Sequence, residues 1–227
     1  MNDLTAKLES INARIASACA KVQRPVTEVR ILAVSKRQTV AAIRQLHVAG
    51  QFAFAENYLQ EALEKQAGLQ DLALEWHFIG PVQSNKTQEI ANTFNWVQSI
   101  DREKIASRLS RQRPSGMPRL NICIQVNIDR EEQKSGANPD EVLQLARLAS
   151  TLPGLTLRGL MAIPRASSTP DQTLQSFRNV KRLFDQLRDE GLPVDTLSMG
   201  MSADLELAVA AGTTMVRIGT DLFGPRA

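Results

Sequence analysis

Eight short apolar runs punctuate the chain: RILAVS at 30–35, FAFAEN at 52–57, EWHFIG at 75–80, WVQSI at 96–100, NICIQVN at 121–127, LRGLMAI at 157–163, DTLSMG at 195–200 and MVRIG at 215–219. Between each pair lies a polar segment in which apolar residues recur every three or four positions, the period of an amphipathic helix. The clearest runs from about Asp171 to Arg188, with Leu174, Phe177, Val180, Leu183, Phe184 and Leu187 on one side and Gln172, Arg178, Lys181 and Asp185 on the other. Another starts near Ser202 and ends at Gly212, a residue suited to the left-handed conformation of a helix C-cap. Ahead of the first strand, Leu4, Leu8, Ile11, Ile15, Ala18 and Val22 line one helical face and leave Lys7, Glu9 and Arg14 outside. Strand then helix, repeated about eight times, predicts a single (β/α)8 TIM barrel over residues 1–227 with an extra N-terminal helix. No full eighth helix follows MVRIGTDLFG, so the N-terminal helix is expected to close the ring. A doubly wound open sheet is the alternative; the even alternation and the lack of a GxGxxG turn after the first strand favour the barrel.

Composition narrows the function classes. The 227 residues are 43% hydrophobic, enough for one sizeable core. No apolar run approaches a membrane span, and MNDLTAKLESINARI carries charges throughout, unlike a secretion signal, so a soluble cytoplasmic protein is expected. Basic residues number 27 against 24 acidic ones and are scattered, and Tyr58 is the only tyrosine. Neither a nucleic-acid surface nor a base-stacking platform is indicated. Cys19 and Cys123 fall in separate apolar settings, and with only His47 and His77 and no CxxC or HExxH spacing, neither a disulfide framework nor a metal site is expected.

A barrel collects functional residues at the C-terminal ends of its strands. Those positions hold Lys36, Asn57, Tyr58, Gly80, Asn127, Ser202, Gly219 and Thr220. Lys36 is the one amine directly following a buried run. It is either a strand end surfacing or, at the rim of an apolar barrel, an amine of lowered pKa available for Schiff-base formation. Ser202 is expected to cap the helix that follows and to present first-turn amides to an anion, though a plain N-cap explains it equally. Gly219 and Thr220, after the last strand, lie where barrels commonly bind phosphate. Arg217 falls between Val216 and Ile218 and should point into the barrel, where a buried guanidinium needs a partner: a ligand, or a carboxylate such as Glu56 or Asp204.

These residues sit in the longer motifs AVSK, ENYLQE, WHFIGPVQSNK, QVN, KSG, GLMAIP, SMGMSADLELAV and VRIGTDLFG, which together closely resemble the YggS/PROSC-type pyridoxal phosphate homeostasis proteins over nearly the whole chain. The resemblance extends to the barrel domain of alanine racemases and of eukaryotic-type ornithine decarboxylases. It implies pyridoxal 5'-phosphate as cofactor, held covalently on Lys36 as an internal aldimine. Ser202, Gly219, Thr220 and the Met201 backbone would hold the phosphate, Arg217 would face the pyridine nitrogen, and Asn57 would lie near the aldimine. One departure is Ala55, where the family often reads glycine and where the alanine is expected to narrow the loop slightly; Val82, for the usual leucine, is milder.

A guanidinium opposite the ring nitrogen is a permanent donor and leaves that nitrogen unprotonated, which weakens the ring as an electron sink. In the related racemases the second base is a tyrosine from a separate domain, which is not expected in this chain, and Tyr58 is read as a packing or hydrogen-bonding residue. The expectation is therefore a carrier without turnover that limits free pyridoxal phosphate and passes it to apo-enzymes, in support of vitamin B6 and indirectly amino and keto acid homeostasis. A weak racemase and a Schiff-base aldolase-like barrel are the alternatives. A monomer is the default, and Lys134 of the KSG loop is a second candidate amine near the mouth.

Overall fold

A computed structural model describes residues 3–165 and 168–224. The strands are β1 (Arg30–Val34), β2 (Ala53–Glu56), β3 (Glu75–Phe78), β4 (Trp96–Ile100), β5 (Leu120–Val126), β6 (Leu155–Ala162), β7 (Thr196–Ser198) and β8 (Met215–Ile218). The helices are α1 (Asp3–Lys21), α2 (Val40–Val48), α3 (Leu59–Ala67), α4 (Thr87–Thr93), α5 (Glu103–Gln112), α6 (Val142–Thr151), α7 (Pro170–Asp189), α8 (Leu205–Ala210) and α9 (Thr220–Phe223). Each of the eight apolar runs is a strand, and the parallel strands pair in sequence order until β8 meets β1 and closes the barrel.

Strand alternation divides the core in two. Outward-facing residues such as Ala33, Phe54, Val97, Ile122 and Val216 join the helices in one continuous shell. Inside the barrel, Leu32, Ala53, Ala55 and Met215 form one small cluster and Trp96, Cys123 and Met161 another. Ala55 thus fills the barrel interior on β2 and does not narrow a loop, contrary to the expectation from the sequence.

Helix α7 begins with a capping box, Thr169 and Gln172 bonding reciprocally with Pro170 at the first turn, so its start is encoded locally. Helix α1 buries Leu8, Ile11, Ile15, Ala18 and Cys19, while Val22 lies beyond its end and is exposed. It packs against α8 and α9 and so takes the place of a full eighth helix. Helix α8 ends where expected, with Gly212 at φ +94°, but it starts only at Leu205, with Asp204 at the N-cap.

Candidate functional site

At the C-terminal ends of the strands lies a cavity of about 310 Å³, lined by the residues expected to hold the cofactor: Lys36, Asn57, Met201, Ser202, Arg217, Gly219 and Thr220. Val34, Ile79, Met161 and Ile163 give it an apolar wall. The volume is that of a small-ligand pocket, and the mixture of apolar wall and few polar groups is what such pockets use to orient a ligand.

Lys36 follows β1 and is half-buried. The turn that carries it is fastened from behind by a network in which one amine satisfies three acceptors. Lys65 Nζ on α3 donates to the carbonyl of Ser35 at 2.6 Å and to Glu56 Oε1 and Glu61 Oε1 at 2.7 Å each. Ser35 Oγ donates to the same Glu56 oxygen at 2.7 Å, and the backbone N–H of Arg37 donates to Glu61. The residues on both sides of Lys36 are therefore held, although Arg37 sits at φ +61°, a left-handed conformation unfavourable for a side chain of its kind. Burial pushes the Glu56 carboxyl above its ordinary value, against the opposing hydrogen bonds from Lys65 and Ser35. Glu56 Oε2 is buried without a partner among the described residues.

Asn57 follows β2, and its Oδ1 is likewise buried and unbonded among the described residues. A buried acceptor left open beside a cavity is a group that a ligand's donor can satisfy. Gly80 makes this placement possible, since a Cβ there would stand 2.0 Å from the Asn57 carbonyl oxygen.

Arg217 points into the barrel as its strand position predicts and is 3% exposed. Its partners are neutral: Nη1 donates to Ser198 O at 2.7 Å and Ser198 Oγ at 2.8 Å, and Nη2 donates to Ala162 O at 2.9 Å. Neither Glu56 nor Asp204 pairs with it directly. Glu56 is taken by Lys65, and Asp204 Oδ1 accepts the backbone N–H of Met201 at 2.5 Å. Burial lowers the Arg217 guanidinium to about 10, still cationic at neutral pH. A desolvated cation with unused N–H groups at a cavity wall is suited to an acceptor on a ligand.

Ser202, also on the cavity lining, does not cap α8. Its Oγ accepts the N–H of Asp221 at 3.2 Å, joining the loop after β7 to the first turn of α9, because α8 begins three residues later than the sequence suggested. Met201, whose backbone is expected in the phosphate cradle, lines the cavity and gives its N–H to Asp204. Arg14, which helical spacing alone assigns to the outer face of α1, reaches both loops: Nε and Nη2 bind Glu206, Nη2 also donates to Ser202 O at 2.9 Å, and Nη1 pairs with Asp221. Nothing in local spacing marked this role. For Lys65, the Glu61–Lys65 pair at i,i+4 on α3 was a signal that could have been read.

Tyr58 is 54% exposed and does not line the cavity. Asn127 and Lys134 line a second cavity of about 270 Å³, which shares Asn57, Ile79 and Ile163 with the first. Asn127 is occupied with the backbone of Glu131, and Lys134 pairs with Glu131 and donates to Pro164 O.

Comparison with known proteins agrees with this fold. Residues 7–227 match the family model of the alanine racemase N-terminal domain. The chain is 51% identical over 226 residues to the pyridoxal phosphate homeostasis protein of Pseudomonas aeruginosa, covering 100% of this chain and 97% of that one. With the protein of the same name from Escherichia coli it shares 45% over 229 residues, covering 100% and 98%. Among solved structures, PipY of Synechococcus elongatus with PLP bound superposes with a TM-score of 0.85 at 35% identity, covering 98% of this chain and all of that one. An alanine racemase from Clostridium difficile shares the fold, with a TM-score of 0.75 at 15% identity over 95% of this chain and 56% of its own. The chain therefore belongs to the alanine racemase N-terminal domain family, among its pyridoxal phosphate homeostasis proteins.

Proposed function

We propose that this protein binds pyridoxal 5'-phosphate in the 310 Å³ cavity, attached covalently through Lys36, and acts as a carrier that keeps the free cofactor scarce and hands it to apo-enzymes without turnover of its own. The observation that carries the reading is the convergence on one cavity of a lysine, a buried arginine with neutral partners and an unbonded asparagine oxygen. The cofactor supplies an aldehyde, which condenses with a primary amine and releases water. Lys36 supplies that amine, from a turn held by Ser35 and Arg37. Gly219, Thr220 and Ser202 would receive the phosphate, on loops that Arg14 ties to α1. Arg217 would face the ring nitrogen as a donor that does not give up its proton, and Asn57 would turn its open acceptor toward the ligand.

The absence of turnover is supported by what surrounds Lys36. Among the described lining residues, Arg217 is the only other side chain that carries charge, and Tyr58 stands outside the cavity. A racemase needs a second acid–base group on the opposite face of the substrate.

The test is borohydride reduction of natively purified protein followed by peptide mass analysis. A reduced pyridoxyl-phosphate adduct on the Lys36 peptide, absent from Lys36→Ala, is expected. Unmodified Lys36 in protein loaded with the cofactor would overturn the covalent reading, and exchange of the α-proton of alanine into deuterated water that disappears with Lys36→Ala would overturn the non-catalytic one.

A further inference from the structure

The barrel interior holds polar side chains that the proposed function leaves unused. His77 on β3 is fully buried, stacked on Trp96 with ring centroids 5.0 Å apart. Its Nε2 lies 2.8 Å from Glu75 Oε1, and its Nδ1 lies 2.9 Å from Gln98 Nε2 on β4. Gln98 Oε1 accepts from Ser198 Oγ on β7 at 2.7 Å, and Ser198 Oγ accepts from Arg217 Nη1 on β8 at 2.8 Å. Glu75 also pairs with Arg30 at the opposite end of the barrel from the cavity.

The polarity of this chain is fixed from both ends. An ionised carboxylate only accepts, so His77 carries its proton on Nε2 and its Nδ1 is an acceptor. Gln98 must then turn its amide N–H toward His77, which points its oxygen at Ser198. From the other end, a guanidinium only donates, so Ser198 Oγ accepts from Arg217 and must give its own proton to Gln98. The two requirements agree at every link. Burial keeps His77 below its ordinary pKa, consistent with the neutral ring that the chain needs.

We infer that Glu75, His77, Gln98 and Ser198 form a directed hydrogen-bond relay through the barrel that positions Arg217, so that a carboxylate at the far end of the barrel sets the orientation of the guanidinium at the cavity. Glu75, His77 and Gln98 are positioning residues: they act through Ser198 on Arg217 and do not line the cavity. Without the Glu75 acceptor, His77 is free to carry its proton on Nδ1, where it opposes the Gln98 N–H. Gln98 then reverses, presents N–H groups to Ser198 and competes with Arg217 for the same hydroxyl oxygen. The consequence for a bound cofactor rests on the proposed function; the orientation of Arg217 is a property of the chain alone.

Ligand-free protein with nitrogen-15 in its arginines separates these. Arg217 signals, identified by their loss in Arg217→Lys, are expected to show two resolved Nη resonances in the parent, since both are hydrogen-bonded and rotation is blocked. Glu75→Leu and Gln98→Leu should shift and merge them, while Arg30→Leu, which breaks the same surface ion pair but leaves His77 its acceptor, should not. In protein loaded with cofactor labelled at the ring nitrogen, Gln98→Leu should move that resonance toward its free value and weaken binding about tenfold. Arg217 signals unchanged in both Glu75→Leu and Gln98→Leu would overturn the relay. Failure of the parent to load cofactor would instead overturn the proposed function, with the arginine signals still deciding the relay.

Discussion

The two ends of this barrel use their arginines in different ways. At the N-terminal end, arginines finish helices and plug the floor. Arg113 donates to the carbonyls of Ala91, Phe94 and Pro118, Arg24 to those of Val209 and Thr213, and Arg158 lies over Trp96 at 4.8 Å while pairing with Asp195. At the mouth, Asn57 Oδ1 and Glu56 Oε2 lack partners among the described residues, and Arg217 is buried without a directly bonded carboxylate. A barrel's N-terminal end is free to be built for stability, whereas its C-terminal end must leave interactions open for a ligand. The contrast predicts that floor substitutions lower stability and mouth substitutions lower binding.

The largest effect belongs to the floor. Arg113→Ala removes the donor for three carbonyls at once and should lower the unfolding free energy by about 3 kcal/mol in urea titration, because each buried acceptor left unsatisfied costs about 1–3 kcal/mol and water recovers part of it. Lys65→Met, behind the mouth, strands the Glu56 carboxyl. A broken buried pair costs up to about 5 kcal/mol, but Glu56 escapes part of that by taking a proton, so a loss of about 2 kcal/mol is expected, largely restored in the double variant with Glu56→Gln. If Lys65→Met left stability unchanged, the support under Lys36 would be decorative.

Arg217→Met sharpens the comparison most directly. Desolvation of an isolated guanidinium offsets its hydrogen bonds, so the ligand-free stability should stay within about 1 kcal/mol of the parent, while cofactor binding weakens at least about tenfold. Equal losses in both measurements would place Arg217 with the floor residues. The smallest effect is one of slope. Burial raises the Glu56 pKa, so the folded chain holds this proton more tightly than the unfolded one, and stability is withdrawn as pH rises above the ordinary value near 4.5. Glu56→Gln should remove that contribution, at most about 1.4 kcal/mol per pH unit, and urea titrations across pH 4.5–7 would reveal the flatter profile.

The fold was legible because its signals are local and repeated. The eight apolar runs became eight strands, α7 started one residue from its expected position with its capping box in place, and Gly212 ended α8 as its spacing indicated. The site was legible in part, since strand ends in a closed barrel converge: of the eight strand-end positions Lys36, Asn57, Ser202, Gly219 and Thr220 line one cavity, while Tyr58, Gly80 and Asn127 do not. Individual bonds were not. Ser202 is expected to cap α8 and instead binds Asp221, and Arg14, on the outer face of α1 by its spacing, binds Ser202 O, Glu206 and Asp221.

The chain by itself determined which segments are strands and helices, and which side chains face the barrel axis, because periods of about two and 3.6 residues fix the face of each element before any partner is present. Tertiary structure alone decided what those side chains meet. Arg217 found Ser198 and Ala162, and Lys65 found Ser35, only once neighbouring strands and helices packed together, since a hydrogen bond's partner is set by three-dimensional proximity that no local period encodes.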